Sequence, residues 1–127
     1  MKQNLKSLGD SEIEIMNIVW EKKKASVAEV HDEILSYRKV AYTTVMTIMK
    51  NLANKGYLKF EKEGMAYIYE PVQAEKEVKS FLLKDMLSKV FKGSPGELVQ
   101  ALVENETLSD SDKKEIEMVI KNLRTEK

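Results

Sequence analysis

One change of rhythm constrains this chain more than any other feature. Up to Gly56, apolar residues recur every three or four positions, the period of a helix. Over 57–62 and 65–70 they recur every second position, the period of a strand. Leu58 and Phe60 alternate with Lys59 and Glu61, and Tyr67 and Tyr69 alternate with Ala66 and Ile68. Glu63-Gly64 between the runs is a hairpin signal, and Pro71, which has no N–H for a ladder, ends the second run. After Val72 the helical period returns. The chain must therefore place a two-stranded hairpin between two helical halves.

The first half reads as three helices. Residues 11–22 carry Ile13, Met16, Val19 and Trp20 on one face, widened by Ile15 and Ile18. They open at a capping box in which Gly9 stands at the cap and Glu12 three residues on, and they close at Lys22-Lys23-Lys24. Ser26 with Glu29 is a full capping box for a second helix with Val27, Val30, Ile34 and Leu35 inside. A third helix runs from near Ala41 to Lys55 with Val45, Ile48, Met49 and Leu52 inside, and Gly56 ends it. Three helices followed by a hairpin is the order of a winged helix-turn-helix. The expected fold is mainly α with a small β-wing, divided into a DNA-binding domain at 1–73 and a three-helix dimerisation domain at 74–127.

The second half reads as helix over 74–91, a break at Gly93-Ser94-Pro95, a short helix capped by Ser94, a loop over 105–108 and a last helix from near Ser109. About fifty residues are too few for an independent core. Either these helices fold back on the first half or they pair with a second copy. Apolar positions on more than one face, and the prevalence of symmetric dimers, favour the second copy. The expected seam takes Val78, Phe81, Leu82, Met86, Leu87, Val90 and Phe91 from the first of these helices, Leu98 and Leu102 from the next, and Ile116, Ile120 and Leu123 from the last.

Composition narrows the chemistry. With no cysteine and one histidine, the chain offers no disulfide framework, thiolate metal site or Cys nucleophile. It also has no phosphate loop or nucleophile elbow. The reading is a non-enzyme without metal or cofactor. No apolar run approaches the ~18 residues of a membrane span, and the start has no apolar signal region, so a cytoplasmic protein without membrane insertion is expected. Lys+Arg and Asp+Glu are both 21, yet this neutrality is unevenly distributed. From Ile34 to Phe60 there is no carboxylate, while Arg38, Lys39, Lys50, Lys55 and Lys59 all lie there. Such a segment approaches phosphates without repulsion.

The outward positions of the third helix are Tyr42, Thr43, Met46, Thr47 and Lys50, with Thr44 at the edge. N-terminal residues of the second helix of a helix-turn-helix reach base edges. Threonine hydroxyls can bond there, and threonine and methionine carbons can meet the thymine methyl. An exposed run of threonines is also a poor helix surface on propensity alone. The expected DNA-binding residues are Thr43, Thr44, Met46 and Thr47 in the major groove of double-stranded DNA, Tyr42 beside them, and Lys39, Lys50 and the wing residue Lys62 on phosphates. The alternative is a winged helix that docks a protein without reading DNA. His31 is expected at the surface or half-buried, and Trp20 in the core.

The segments LGDSEIEIMNIVW, AYTTVMTIMKNLANKGYL and EKEGMAYIYEP resemble the BlaI/MecI/CopY family of winged-helix repressors, the penicillinase-repressor family. Lys89-Val90-Phe91-Lys92-Gly93 and Leu108-Ser109 continue the match in order. The resemblance implies a homodimeric repressor on a palindromic operator, its C-terminal helices interlocked. In the antibiotic-resistance branch it also implies release when a membrane sensor-protease triggers cleavage in the dimerisation domain. The corresponding bond here is Ala101-Leu102, in GELVQALVE. The chain departs from the family at several points. It lacks the Cys-rich motif of the copper-responsive branch. It has Ala41-Tyr42 for a Ser-Pro start, Met46 for a basic residue, Met65 for an Arg after the wing glycine, and Ala-Leu where an Asn-aromatic bond is frequent. These departures leave the operator sequence open and imply a weaker wing–phosphate contact.

Overall fold

A computed structural model describes residues 5–125 of the chain. The described elements run α1 (Asp10–Lys22), β1 (Ala25–Ser26), α2 (Val27–Leu35), α3 (Tyr42–Asn54), β2 (Leu58–Glu63), β3 (Ala66–Pro71), α4 (Glu75–Val90), α5 (Pro95–Glu104) and α6 (Asp110–Thr125).

Each boundary has a local cause. At the start of α1 the Glu12 carboxylate accepts the Gly9 N–H at 2.8 Å, the half of a capping box that survives when the cap has no side chain. At α2 both halves form: Ser26 N–H donates to Glu29 at 2.8 Å, and Glu29 N–H donates to Ser26 Oγ at 3.1 Å. Past α3, Gly56 takes φ +88°, which lets the chain turn out of the helix into β2. Ser94 caps α5, with Pro95 at its first position, and Ser109 and Asp112 cap α6 reciprocally.

The sheet has three strands in the order β1-β3-β2, all antiparallel. The sequence pattern predicts only the hairpin; β1 adds a third strand through Ala25↔Tyr69 and Ser26↔Ile68. Two residues are too few to display a period, so β1 has no signature of its own. The hairpin turn also sits one residue later than the Glu63-Gly64 signal suggests. Glu63 pairs with Ala66, which leaves Gly64 and Met65 as the central residues. Gly64 has φ +62° and Met65 is not in the positive-φ region, as in a type II′ turn.

One core serves α1–α3, the sheet and the start of α4. Ile15, Met16, Val19, Val30, Ile34, Val45, Met49, Leu52 and Tyr57 are its best-buried members, joined by Leu58, Tyr69 and Val78. The buried stripe of α1 is centred on Ile15, Met16, Ile18 and Val19, with Ile13 and Trp20 at its half-buried margins. Leu35 is a correction: it is 45% exposed, because it lies a helical step round from Ile34 and the chain turns away immediately after it.

Two compact units divide the chain, Met1–Leu82 and Leu83–Lys127, with the division inside α4. Val78 corrects the expected seam. It is fully buried in the core of the first unit and has no surface left for a second chain, and Leu82 packs against the same core. In the second unit no described side chain is buried. Phe91, Leu98, Val103, Leu108 and Ile116 are half-buried, while Leu83, Met86, Val90, Val99, Leu102, Met118, Val119, Ile120 and Leu123 are exposed.

Candidate nucleic-acid interface

The turn between α2 and α3 is held from outside. Glu14 on α1 receives a two-pronged contact from Arg38, at 3.1 Å from Nε and 2.5 Å from Nη2, and a 2.5 Å hydrogen bond from the Tyr37 hydroxyl. The guanidinium chiefly holds the Glu14 carboxyl below its ordinary value. Burial and the Glu14 carboxylate push the Tyr37 hydroxyl up to about 12. On the other side of the turn, His31 Nε2–H donates to the Val40 carbonyl at 2.8 Å, and the His31 ring meets Tyr42 edge-on with centroids 5.5 Å apart. His31 is half-buried as expected, and its work is to fix the entry to α3.

A second clamp fixes the far end of α3. Lys55 Nζ donates to Glu12 at 2.8 Å and to the Ser7 carbonyl at 3.0 Å, and the Tyr57 hydroxyl donates to the Lys6 carbonyl. Burial raises the Glu12 carboxyl, but the Lys55 and Gly9 hydrogen bonds and the Lys55 charge outweigh it, so the group ends below its ordinary value. Two of the five cations in the carboxylate-free segment are thus structural ties to α1. Among the described residues, Lys39, Lys50, Lys59 and Lys62 make no ion pair, and all four are exposed. Charge counting alone could not separate these classes, because Glu12 and Glu14 lie more than twenty residues upstream of their partners.

The ties leave the opening of α3 facing solvent. Ala41 is its N-cap without a side-chain cap, and the first turn holds no acid. Thr44 N–H donates back to the Ala41 carbonyl at 3.1 Å, so the N–H groups of Tyr42 and Thr43 and the positive end of the helix dipole are what face an anion. Tyr42, Thr43, Thr44, Thr47 and Lys50 are exposed, and the spacing of Thr43, Thr47 and Lys50 gives them one stripe along the helix. Met46 differs from the expectation. It is half-buried against the core and lines a hollow of about 260 Å³ with Tyr42, Lys50, Met65 and Tyr67. On the wing, Lys62 pairs in register with Tyr67, and both are exposed. Phe60 and Tyr67 form an aromatic surface beside α3 that the sequence reading did not include. The strand alternation around them was the available signal, but it does not tell which alternate residues stay uncovered.

A helix-turn-helix with a wing, presenting an uncapped second helix and unpaired lysines, defines a winged-helix DNA-binding protein. The sequence pattern of the penicillinase repressor family matches residues 8–122, and the chain belongs to that family of transcriptional repressors. It is similar to the methicillin resistance regulatory protein MecI of Mammaliicoccus sciuri, at 31% identity over 113 residues, covering 89% of this chain and 92% of that one. It is similar to the penicillinase repressor of Staphylococcus aureus, at 29% identity, covering 89% of this chain and 90% of that one. The solution structure of the DNA-binding domain of the repressor BlaI superposes with a TM-score of 0.53 at 26% identity, covering 60% of this chain and 93% of that one. Among the described residues no helix is long and apolar enough to cross a membrane.

Proposed function

We propose that this repressor acts in the cytoplasm as a homodimer on a palindromic operator. Each copy lays the start of α3 in the major groove, with Thr43, Thr44 and Thr47 toward base edges and Tyr42 and Met46 at the margin of the contact. Lys39, Lys50 and Lys62 hold phosphates. The observation that carries this reading is the single exposed stripe Thr43, Thr47 and Lys50 on a helix whose flanking Arg38 and Lys55 are already neutralised. The cations left over are the ones placed to meet DNA.

The second copy pairs through 83–127, where the exposed apolar side chains of α4, α5 and α6 have no cover within one chain. Each winged unit alone binds weakly, and linking two raises the affinity through effective concentration. Release follows from cutting the link. The candidate bond Ala101-Leu102 lies inside α5, with both residues exposed, so a protease must unwind that helix to reach it. A membrane sensor-protease of the β-lactam-resistance type is the proposed trigger.

The test uses the full chain and a duplex carrying a dyad from the gene's own promoter, followed by fluorescence anisotropy across a salt series. Thr47→Ala is expected to lose roughly 1–3 kcal/mol on the operator and little on random DNA. Lys50→Ala is expected to weaken both and to reduce the salt slope by about one. Equal losses from Thr47→Ala on both duplexes would remove its base-reading role. An absence of salt-dependent binding by the wild type would favour the protein-docking alternative.

A further inference from the structure

DNA contacts account for the rim of one hollow but not for its depth. The hollow, of about 260 Å³, lies between the opening of α2 at residues 26–28, the outward side of α3 and the tip of the wing. Tyr42, Met46, Met65, Tyr67 and Tyr69 line it, with Lys50 as the one charged group among the lining residues and no carboxylate. Tyr69 is 3% exposed and Met46 half-buried, whereas Met65 is 96% exposed, so the wall runs from a sealed floor to an open rim. A second hollow of about 320 Å³ shares Lys50, Tyr67 and Tyr69 with it, which leaves room for two fused rings. Among the described residues Lys50 makes no ion pair.

A phosphate needs charge and donors and has no use for an apolar recess. Three aromatic rings and two thioethers around one ammonium group fit a different ligand, a flat aromatic body with a single carboxylate. The body lies against the tyrosine rings and the methionine sulfurs, and the carboxylate meets Lys50. We propose that this hollow is an effector site for an aromatic monocarboxylate, and that the ligand and the operator exclude one another. The exclusion rests on the operator reading of α3; binding of the ligand does not. Lys50 is one of the cations assigned to phosphates, so a carboxylate on its ammonium takes it from DNA. The aromatic body stands between α3 and the tip of the wing, where Tyr42 and Met46 border the major-groove contact, and keeps α3 from seating. Induction by this route frees the operator with both copies intact and without cutting α5.

The test uses the full chain with isotope-labelled methionine methyl groups. Naphthoate is the probe, and naphthamide and acetate at equal ionic strength are the controls. Saturable shifts of the Met46 and Met65 methyl signals are expected with naphthoate, while Met16 and Met49, fully buried in the core, stay still. At about ten times its own dissociation constant, naphthoate should weaken operator binding about tenfold by anisotropy, and acetate should do neither. Lys50→Gln should bind naphthoate about fivefold more weakly and naphthamide as the wild type does. Shifts confined to Met86 and Met118, which are exposed in the second unit, would mean that the probe coats apolar side chains at large, and would overturn the site. So would acetate acting as strongly as naphthoate, an unchanged naphthoate affinity in Lys50→Gln, or operator and naphthoate binding together without loss. A wild-type chain without salt-dependent DNA affinity brings down the operator reading, and the methyl shifts then still decide the site.

Discussion

The two units of this chain are both rich in helix and have opposite interiors. Met1–Leu82 holds every well-buried apolar side chain among the described residues, from Ile15 to Val78. Leu83–Lys127 holds none, although Leu83, Val90, Leu102, Ile120 and Leu123 are as apolar as anything in the first unit. The first unit closes its core because α1, α2 and α3 meet around a sheet that supplies Leu58 and Tyr69, with Tyr57 added from the turn between α3 and β2. Among the described residues the second has the end of α4 with α5 and α6 and no strand, and its apolar side chains stay half-buried or exposed. A first unit with a closed core and a second unit without one is the contrast on which the proposed pairing of two copies rests.

The largest expected effect breaks the tail alone. Leu102→Asp combined with Ile120→Asp should give monomers by sedimentation and reduce operator affinity by about 10²–10⁴-fold through lost effective concentration. The fluorescence of Trp20, in the first unit, should be unchanged. A persisting dimer would place the seam elsewhere. Leu82 is a poorer choice because it packs on the core of the first unit. Next, Leu52→Ala should cost the first unit about 2–5 kcal/mol in urea unfolding while the sedimenting species stays dimeric. Dissociation in that variant would show that the two units are coupled.

The smallest effect concerns acid. The folded Glu14 carboxyl lies below its ordinary 4.5, so its stabilisation is complete above that value and is lost as pH falls through the folded value. Melting of the first unit should therefore weaken below about pH 4.5, and Glu14→Gln should weaken less steeply, with Glu12 supplying the remainder. Identical acid profiles would mean that the Arg38 contact contributes nothing to stability.

Much of the reading head was legible because its signals are local. Ser26 with Glu29, Gly56, Pro71 and the change of period each fix an element within a few residues, and the threonine-rich opening of α3 is visible as an oddity of helix propensity. Less legible were features that depend on distant partners. Leu35 fits the helical period but is left outside at the end of α2. Met46 fits the outward face but turns to the hollow under the wing. Val78 shares the apolar pattern of its helix, yet it is taken by the first unit. Arg38 and Lys55 look like DNA-facing cations until α1 folds beside them.

The order of elements, the turn points and the stretch free of carboxylates were determined by the sequence itself, since backbone geometry and side-chain period act over a few residues. Only the tertiary structure decided which cations remain available, which face of the wing is aromatic and uncovered, and which apolar residues one chain can bury. Those outcomes depend on Glu12 and Glu14 meeting Arg38 and Lys55 across the fold, and on β1 joining β3. They also depend on where α4 leaves the core. Contacts between residues far apart in sequence carry no local pattern, so folding is what selects them.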